Sequence, residues 1–177
     1  MPDISLRLAE LADQPTAERL WLMFRHDMSE VEGDLPGPDG SFPDAWLHLA
    51  FSEPDRAPYL LTVGDRPVGF AFVRGLLGPT RVMNSFFVVR GARRAGAGTH
   101  AAQGVVARHP GPWEIAFQDA NAGAVRFWRR VATKIAGDAW TEERRPVPNR
   151  PDLAPDVWIS FSTTAGPGAL HPADDGA

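Results

Sequence analysis

The stretch Phe86-Phe87-Val88-Val89, followed after three residues by Arg93-Arg94-Ala95-Gly96-Ala97-Gly98-Thr99, decides how this chain folds. The apolar run indicates a strand, and residues 99–109 are compatible with a helix. Glycines at positions 96 and 98 let the backbone turn tightly, so that successive N–H groups and the first helical turn point to one place. A strand, loop and helix of this kind are suited to binding a pyrophosphate.

The spacing of the glycines fits two kinds of anion-binding loop. Gly96-x-Gly98-x-x-Ala101 meets the relaxed fingerprint of dinucleotide-binding domains, in which an acidic residue follows about 20 positions later. Glu114 and Asp119 lie at roughly that distance. The loop, however, begins after residue 90 of 177, which leaves too little chain for two mononucleotide-binding halves. The dinucleotide interpretation is therefore the less favoured one.

The alternative is a family resemblance carried by two motifs. Arg93-x-x-Gly96-x-Gly98 is similar to the (Gln/Arg)-x-x-Gly-x-(Gly/Ala) loop of the GCN5-related N-acetyltransferases, the GNAT superfamily. Asn121-x-x-Ala124-x-x-Phe127 resembles the Asn-x-x-Ala-x-x-aromatic helix of the same proteins, and the strand-like run 113–117 lies between the motifs. The resemblance covers residues 4 to about 162 and is strongest over 59–132.

The resemblance implies an α/β fold with a mixed, six- to seven-stranded central sheet flanked by about four helices. The sequence pattern predicts one domain over residues 1–164 and a disordered tail over 165–177, where apolar residues are too few to pack. Within the domain, periodicity and turn residues predict strands at 4–8, 59–63, 68–74, 81–89, 113–117, 139–144 and 156–162, and helices at 16–29, 43–51, 99–109 and 122–132.

The resemblance also implies a function, the transfer of an acetyl group from acetyl-CoA to the amine of a small molecule. In this family the fourth and fifth strands diverge and the pantetheine arm pairs with backbone groups of the fourth, here Phe87, Val88 and Val89. The implied cofactor-binding residues further include the loop and the second motif: Arg93, Arg94, Ala95, Gly96, Ala97, Gly98, Thr99, Asn121, Phe127 and Trp128. The alternative is a GNAT-like protein that has lost catalysis and binds CoA or regulates.

Proton transfer is where the chain departs from the family pattern. Many members carry a tyrosine in the second motif as general acid, and Trp128 stands there instead, so we expect its ring to pack rather than to donate a proton. The catalytic candidates are Ser85 and Asn84 on the fourth strand and His26 near the end of the first helix. Further candidates for a general base are four carboxylates, Glu114, Asp119, Asp27 and Glu30.

Composition narrows the remaining classes of function. A formal charge of −4 argues against a nucleic-acid partner held by bulk electrostatics. The sequence contains no run of 18 apolar residues, so it predicts no membrane span. The chain lacks cysteine and any metal-binding sequence signature, so we expect no metal cofactor. Lys134 is the only lysine among 18 basic residues; the arginines around positions 93 and 129 are suited to phosphates, although most of them could be ordinary surface residues. We expect a cytoplasmic protein, and a homodimer is left open.

Overall fold

The computed structural model describes residues 4–93 and 96–164. Arg94, Ala95 and the predicted tail 165–177 lie outside the described residues. Within them the chain forms seven strands: β1 (Ser5–Leu8), β2 (Arg56–Val63), β3 (Arg66–Arg74), β4 (Arg81–Val88), β5 (Gly111–Phe117), β6 (Trp140–Arg145) and β7 (Asp156–Thr163). The same residues form four α-helices: α1 (Gln14–Glu32), α2 (Ala45–Ser52), α3 (Ala97–Ala107) and α4 (Ala122–Ala136). The predicted α/β class and the order of elements are confirmed.

All seven strands join one sheet in the order β1-β2-β3-β4-β5-β7-β6. Neighbouring strands are antiparallel except β4 and β5, which are parallel because α3 crosses over between them. The sheet is therefore mixed, as the resemblance implied.

Helices cover both faces of the sheet. Helices α1 and α2 bury Leu20, Trp21 and Leu47 against Leu60, Phe70, Phe72 and Phe87 on one face. On the other face α3 and α4 bury Val105 and Val131 against a layer that contains Trp113, Ile115 and Ile159. Alternation of side chains along each strand supplies both apolar layers, which explains the nearly continuous apolar runs of the central strands.

Several element boundaries differ from the prediction for local reasons. Helix α1 continues to Glu32, because Gly33 takes the left-handed conformation (φ 74°) and its N–H bonds to the Ser29 carbonyl. Helix α2 begins at Ala45 rather than at Pro43, whose carbonyl instead accepts from the Trp21 indole at 2.9 Å. Strand β2 begins three residues earlier than predicted. Pro58 is tolerated in it because the side of its backbone that lacks an N–H lies beyond the end of β1, where only its carbonyl is used, as acceptor for the Ala9 N–H.

Candidate functional site

The central feature is a gap in the middle of the sheet. Strands β4 and β5 pair only at their beginnings, where Arg81–Met83 lie opposite Trp113–Ile115. Beyond this point β4 continues to Val88 along β3, and β5 continues to Phe117 along β7. The two parallel strands therefore diverge toward their carboxyl ends and leave backbone groups of β4 without a partner strand.

A bulge at Asn84 marks the start of the unpaired part of β4. Ser85 lies opposite Phe72 whereas Met83 lies opposite Val73, so Asn84 is an extra residue in the ladder. After the bulge the Val89 N–H donates to the Val68 carbonyl at 2.8 Å. Because backbone groups alternate along a strand, Phe87 also turns toward β3, whereas Phe86 and Val88 turn toward the gap. Of the three residues whose backbone the resemblance implies for the pantetheine arm, Phe87 and Val89 therefore turn their N–H groups toward β3, and only Val88 turns its N–H group toward the gap.

The glycine loop lies at the carboxyl end of β4. Gly96 has φ 79° and is the N-cap of α3, which begins at Ala97 and thus two residues earlier than predicted. The His100 N–H bonds to the Gly96 carbonyl at 3.0 Å. The N–H groups in the first turn of α3 have no carbonyl acceptor within the helix, so they point out of its N-terminal end and can bind an anion there. A Cβ added to Gly98 would touch the Phe127 ring at 3.4 Å, so the loop lies close to α4.

Helix α4 supplies the opposite wall. Asn121 caps it by accepting a hydrogen bond from the Ala124 N–H at 3.0 Å. The Phe127 ring stacks on Phe86, and the Trp128 ring meets Phe86 edge-on with centroids 5.3 Å apart. Trp128 is only 7% exposed, in keeping with its expected packing.

Helix α1 approaches the same end of β4 through Asp27. This carboxylate accepts from Arg90 Nε at 3.0 Å and also from Arg93, whose own Nε donates to the Val88 carbonyl at 2.6 Å. Burial raises the pKa of Asp27, but hydrogen bonds from Arg93 and Arg90 outweigh it, so the pKa lies below its ordinary value. Asp27 is therefore an anionic partner of both arginines at neutral pH.

These elements enclose a cavity of about 400 Å³, a size typical of small-molecule sites. Side chains from both faces of the sheet line it, because the sheet is open at this point. Its lining comprises Phe24, Asp27, Met28, Glu30, Val31, Phe86, Phe87, Val88, Arg90, Arg93, Gly96, Gly98, Thr99, Asn121, Gly123, Ala124, Phe127, Trp128 and Arg130.

Most of the described residues proposed from the sequence for cofactor binding line this cavity. Val89 and Ala97 adjoin it without lining it, and Arg94 and Ala95 lie outside the described residues. The α1 residues Phe24 and Val31 also line the cavity and were not predicted there. A spacing of three to four residues between apolar side chains predicts a buried helix face, but it does not show whether that face packs in the core or lines a cavity.

The three catalytic candidates lie outside the lining. Ser85 is buried on the α1 side of β4 and accepts from Asn84 Nδ2 at 3.4 Å, and Asn84 Oδ1 accepts from Arg74. His26 is exposed on α1. Their catalytic roles stay predictions.

The four carboxylates proposed as a general base differ in whether an arginine pairs with them. Glu114 pairs with Arg145 at 2.8 Å, Asp119 is bound twice by Arg144, and Asp27 holds Arg90 and Arg93. Among the described residues, Glu30 is the one of these four candidates that has no ion-pair partner, and it lines the cavity.

Within residues 4–93 and 96–164, no cluster of three or more potential ligands could hold a metal ion. Nor is any helix of that part long and apolar enough to cross a membrane.

Comparison with known proteins gives one family. The model of the acetyltransferase (GNAT) family matches residues 17–132, which is more than half of the chain. No curated protein sequence matches significantly.

Solved structures agree in fold at low sequence identity. An acetyltransferase from Thermus thermophilus is 15% identical, with a TM-score of 0.65 over 90% of this chain and 97% of that chain. The ribosomal-protein-S18-alanine N-acetyltransferase of Escherichia coli is 13% identical, with a TM-score of 0.61 over 95% of this chain and 99% of that one. An aminoglycoside acetyltransferase in complex with coenzyme A and kanamycin is 16% identical, with a TM-score of 0.64 over 90% and 95%.

Proposed function

Because the chain belongs to the acetyltransferase (GNAT) family, we propose that it is a cytoplasmic, acyl-CoA-dependent N-acyltransferase that acetylates the amine of a small molecule. The observation that carries the proposal is the cavity at the divergence of β4 and β5. One end of this cavity lies at the glycine loop, and its walls come from both faces of the sheet. A cofactor and an acceptor can therefore meet in it from opposite sides.

The proposed cofactor position follows from the groups that face the gap. The pyrophosphate of acetyl-CoA would lie at the loop of residues 93–99, near the N-terminus of α3, where N–H groups and arginines favour an anion. The pantetheine arm would pair with Phe86 and Val88 as an added strand, between β4 and the rings of Phe127 and Trp128. Asn121 would hold α4 in place beside it.

The proposed chemistry is direct attack in a ternary complex. The neutral amine adds to the thioester carbon, the carbonyl oxygen gains negative charge, and an N–H of β4 that turns toward the gap would stabilise it. The C–S bond then breaks, the thiolate leaves, and the nitrogen loses its proton. A thiol of this kind has a pKa of about 8.5, so its thiolate leaves without obligatory protonation. That property makes the chemistry compatible with a cavity whose described lining contains no tyrosine.

Glu30 is the carboxylate best placed to receive the acceptor. It faces the cavity from α1 and is free of ion pairs among the described residues, so it can attract an ammonium group and accept its proton through water. Ser85 and Asn84 at the bulge, and His26 on α1, are the further proposed catalytic residues. We expect Glu30→Gln to lower turnover more than Ser85→Ala does, since the serine remains uncharged in this pH range.

An assay of thiol release tests the proposal. Purified protein receives acetyl-CoA and single amines, among them kanamycin and a peptide with N-terminal alanine, because proteins of similar structure include an aminoglycoside acetyltransferase bound to kanamycin and a ribosomal-protein-S18-alanine N-acetyltransferase. Release of free CoA that depends on the amine, together with an N-acetylated product in the mass spectrum, supports the proposal. CoA binding without transfer to any amine would favour the non-catalytic alternative.

A further inference from the structure

Asp27 connects two parts of the site that the proposed function assigns to different ligands. It lies on α1, which forms the acceptor-side wall, and its side chain is only 19% exposed. Both of its carboxylate oxygens accept from arginines near the phosphate-binding loop, Oδ1 from Arg90 and Oδ2 from Arg93. A carboxylate held in this way orients two guanidinium groups at once.

Arg93 is fixed by more than this ion pair. Its Nε donates to the Val88 carbonyl at 2.6 Å, and its guanidinium lies 5.6 Å from the centre of the Phe87 ring. The Arg93 side chain therefore crosses the end of β4 and donates a hydrogen bond to the Val88 carbonyl, which faces the gap. Three contacts, from the strand, the ring and Asp27, set the direction of the group.

Both arginines still have an exposed side. The Arg90 side chain is 67% exposed and that of Arg93 is 45% exposed, and both line the cavity. Among the described residues no further acceptor binds their remaining N–H groups, which can therefore reach phosphate oxygens, whereas the bonds to Asp27 restrict the rotamers that the two arginines can adopt. Orientation of charged donors before binding reduces the entropy lost when the ligand arrives.

We propose that Asp27 is a positioning residue of the acyl-CoA site, which aligns Arg90 and Arg93 for the phosphates of the cofactor and ties α1 to the end of β4. The inference rests on the proposed function, because acetyl-CoA is the ligand whose phosphates the arginines would bind. It adds a residue outside both family motifs to the cofactor site.

Positioning by Asp27 and the charge of Asp27 have opposite expected effects on the affinity for CoA. Removing the Asp27 charge leaves the loop more positive, so that charge alone would tighten the binding of an anionic ligand. If Asp27 acts by positioning, its removal must weaken binding instead. The sign of the change therefore separates the two accounts.

The experiment compares CoA affinity by titration calorimetry in wild type, Asp27→Asn and Asp27→Glu. We expect the dissociation constant of CoA to rise about tenfold in Asp27→Asn, the effect of losing one charge-assisted hydrogen bond, and to recover in part in Asp27→Glu. The matched control is Asp13→Asn, which removes a carboxylate bound twice by Arg7 beside β1, and it should leave CoA affinity unchanged.

A kinetic arm separates positioning from general structural damage. In Asp27→Asn, kcat/KM for acetyl-CoA should fall with the affinity, whereas kcat/KM for acetyl-pantetheine, which has no phosphates, should stay unchanged. An unchanged or tighter dissociation constant for CoA, or an equal loss for both donors, overturns the proposal for Asp27 alone. If wild type binds no CoA at millimolar concentration, the proposed function fails together with this inference.

Discussion

Trp128 occupies the position where many members of the family carry a tyrosine. Its ring packs against Phe127, with centroids 4.7 Å apart, and against Phe86, so it forms part of the wall on the α4 side. The indole N–H does not ionise in the accessible pH range, so the ring can contact the pantetheine arm but cannot protonate the leaving thiolate. We therefore expect Trp128 to contribute to the site by its shape alone.

We expect Trp128→Phe to change turnover little and Trp128→Tyr to maintain or raise it. A well-placed general acid contributes about 10²- to 10⁴-fold, so a tyrosine that faces the sulfur has room to help. The measurement is kcat for acetyl transfer, with CoA affinity and melting temperature as controls. A collapse of kcat in Trp128→Phe, with the fold and CoA affinity intact, would show that the indole has a specific role.

At the residue scale, the sequence was informative where a motif fixes the chemistry and uninformative where pairing decides it. The two motifs locate Gly96 and Gly98 at the start of α3 and Asn121 at the start of α4, because helix starts depend on local sequence. Asp27 and Glu30 looked alike in sequence, since both are acids near the end of one helix. Only the fold brings Arg90 and Arg93 to Asp27 and leaves Glu30 facing the cavity.

At the scale of elements, α4 depends on its N-terminal cap. The Asn121 side chain satisfies the Ala124 N–H in the first turn, and the helix then carries Phe127 and Trp128 into the cavity wall. A polar N-cap contributes about 1 kcal/mol relative to alanine. Both the stability and the order of this wall should therefore depend on the cap.

We expect Asn121→Ala to lower the free energy of unfolding by about 1 kcal/mol, whereas Asn121→Asp should retain most of it. For a domain of this size the corresponding fall in melting temperature is about 2–4 °C. Thermal unfolding of the three proteins without ligand tests this. Equal stability of the alanine and aspartate variants would contradict a capping role.

The divergence of β4 and β5 could not be predicted from the residues of either strand. Both strands are apolar and β-branched or aromatic enough to pair along their whole length. Pairing between them ends after Met83 and Ile115, where the bulge at Asn84 follows, while β4 stays paired with β3 and β5 with β7. The point at which two strands separate depends on residues far apart in the chain, so the family resemblance implies it and periodicity does not.

At the scale of the whole molecule, a partly buried pair that is remote from the cavity makes stability depend on pH. His109 Nε2 and the Tyr59 hydroxyl lie 2.7 Å apart in a hydrogen bond. Burial lowers the pKa of His109 below its ordinary value of about 6.5, and Arg81 and Arg108 lower it further. The folded state therefore favours the neutral ring.

The sign of the pH effect follows from proton uptake. Below about pH 6.5 the unfolded chain binds a proton at His109 that the folded chain resists, so stability falls as the pH decreases through this value until the folded pKa is passed. We expect the stability advantage of wild type over His109→Gln to shrink between pH 7.5 and pH 5.5. Urea unfolding at several pH values measures it, and a constant difference would contradict the account.

The central claim is that the glycine loop and the gap beside it bind acyl-CoA. Thermal unfolding with CoA present tests this most directly, because ligand at 100 times its dissociation constant adds about 2.7 kcal/mol to the folded state. For a domain of this size that corresponds to a rise in melting temperature of roughly 5–10 °C. A variant within the loop and a matched variant outside it locate the site.

Gly96→Val places a side chain at φ 79° and should abolish the rise, whereas Gly137→Val, at φ 60° beyond the far end of α4, should retain it. An added Cβ meets no atom within 4 Å at either position, and both positions have a positive φ, so both variants strain the backbone, with ψ of 5° at Gly96 and −118° at Gly137. We expect a CoA-dependent rise in wild type and Gly137→Val only. No rise in wild type at millimolar CoA, or an equal rise in Gly96→Val, would contradict it.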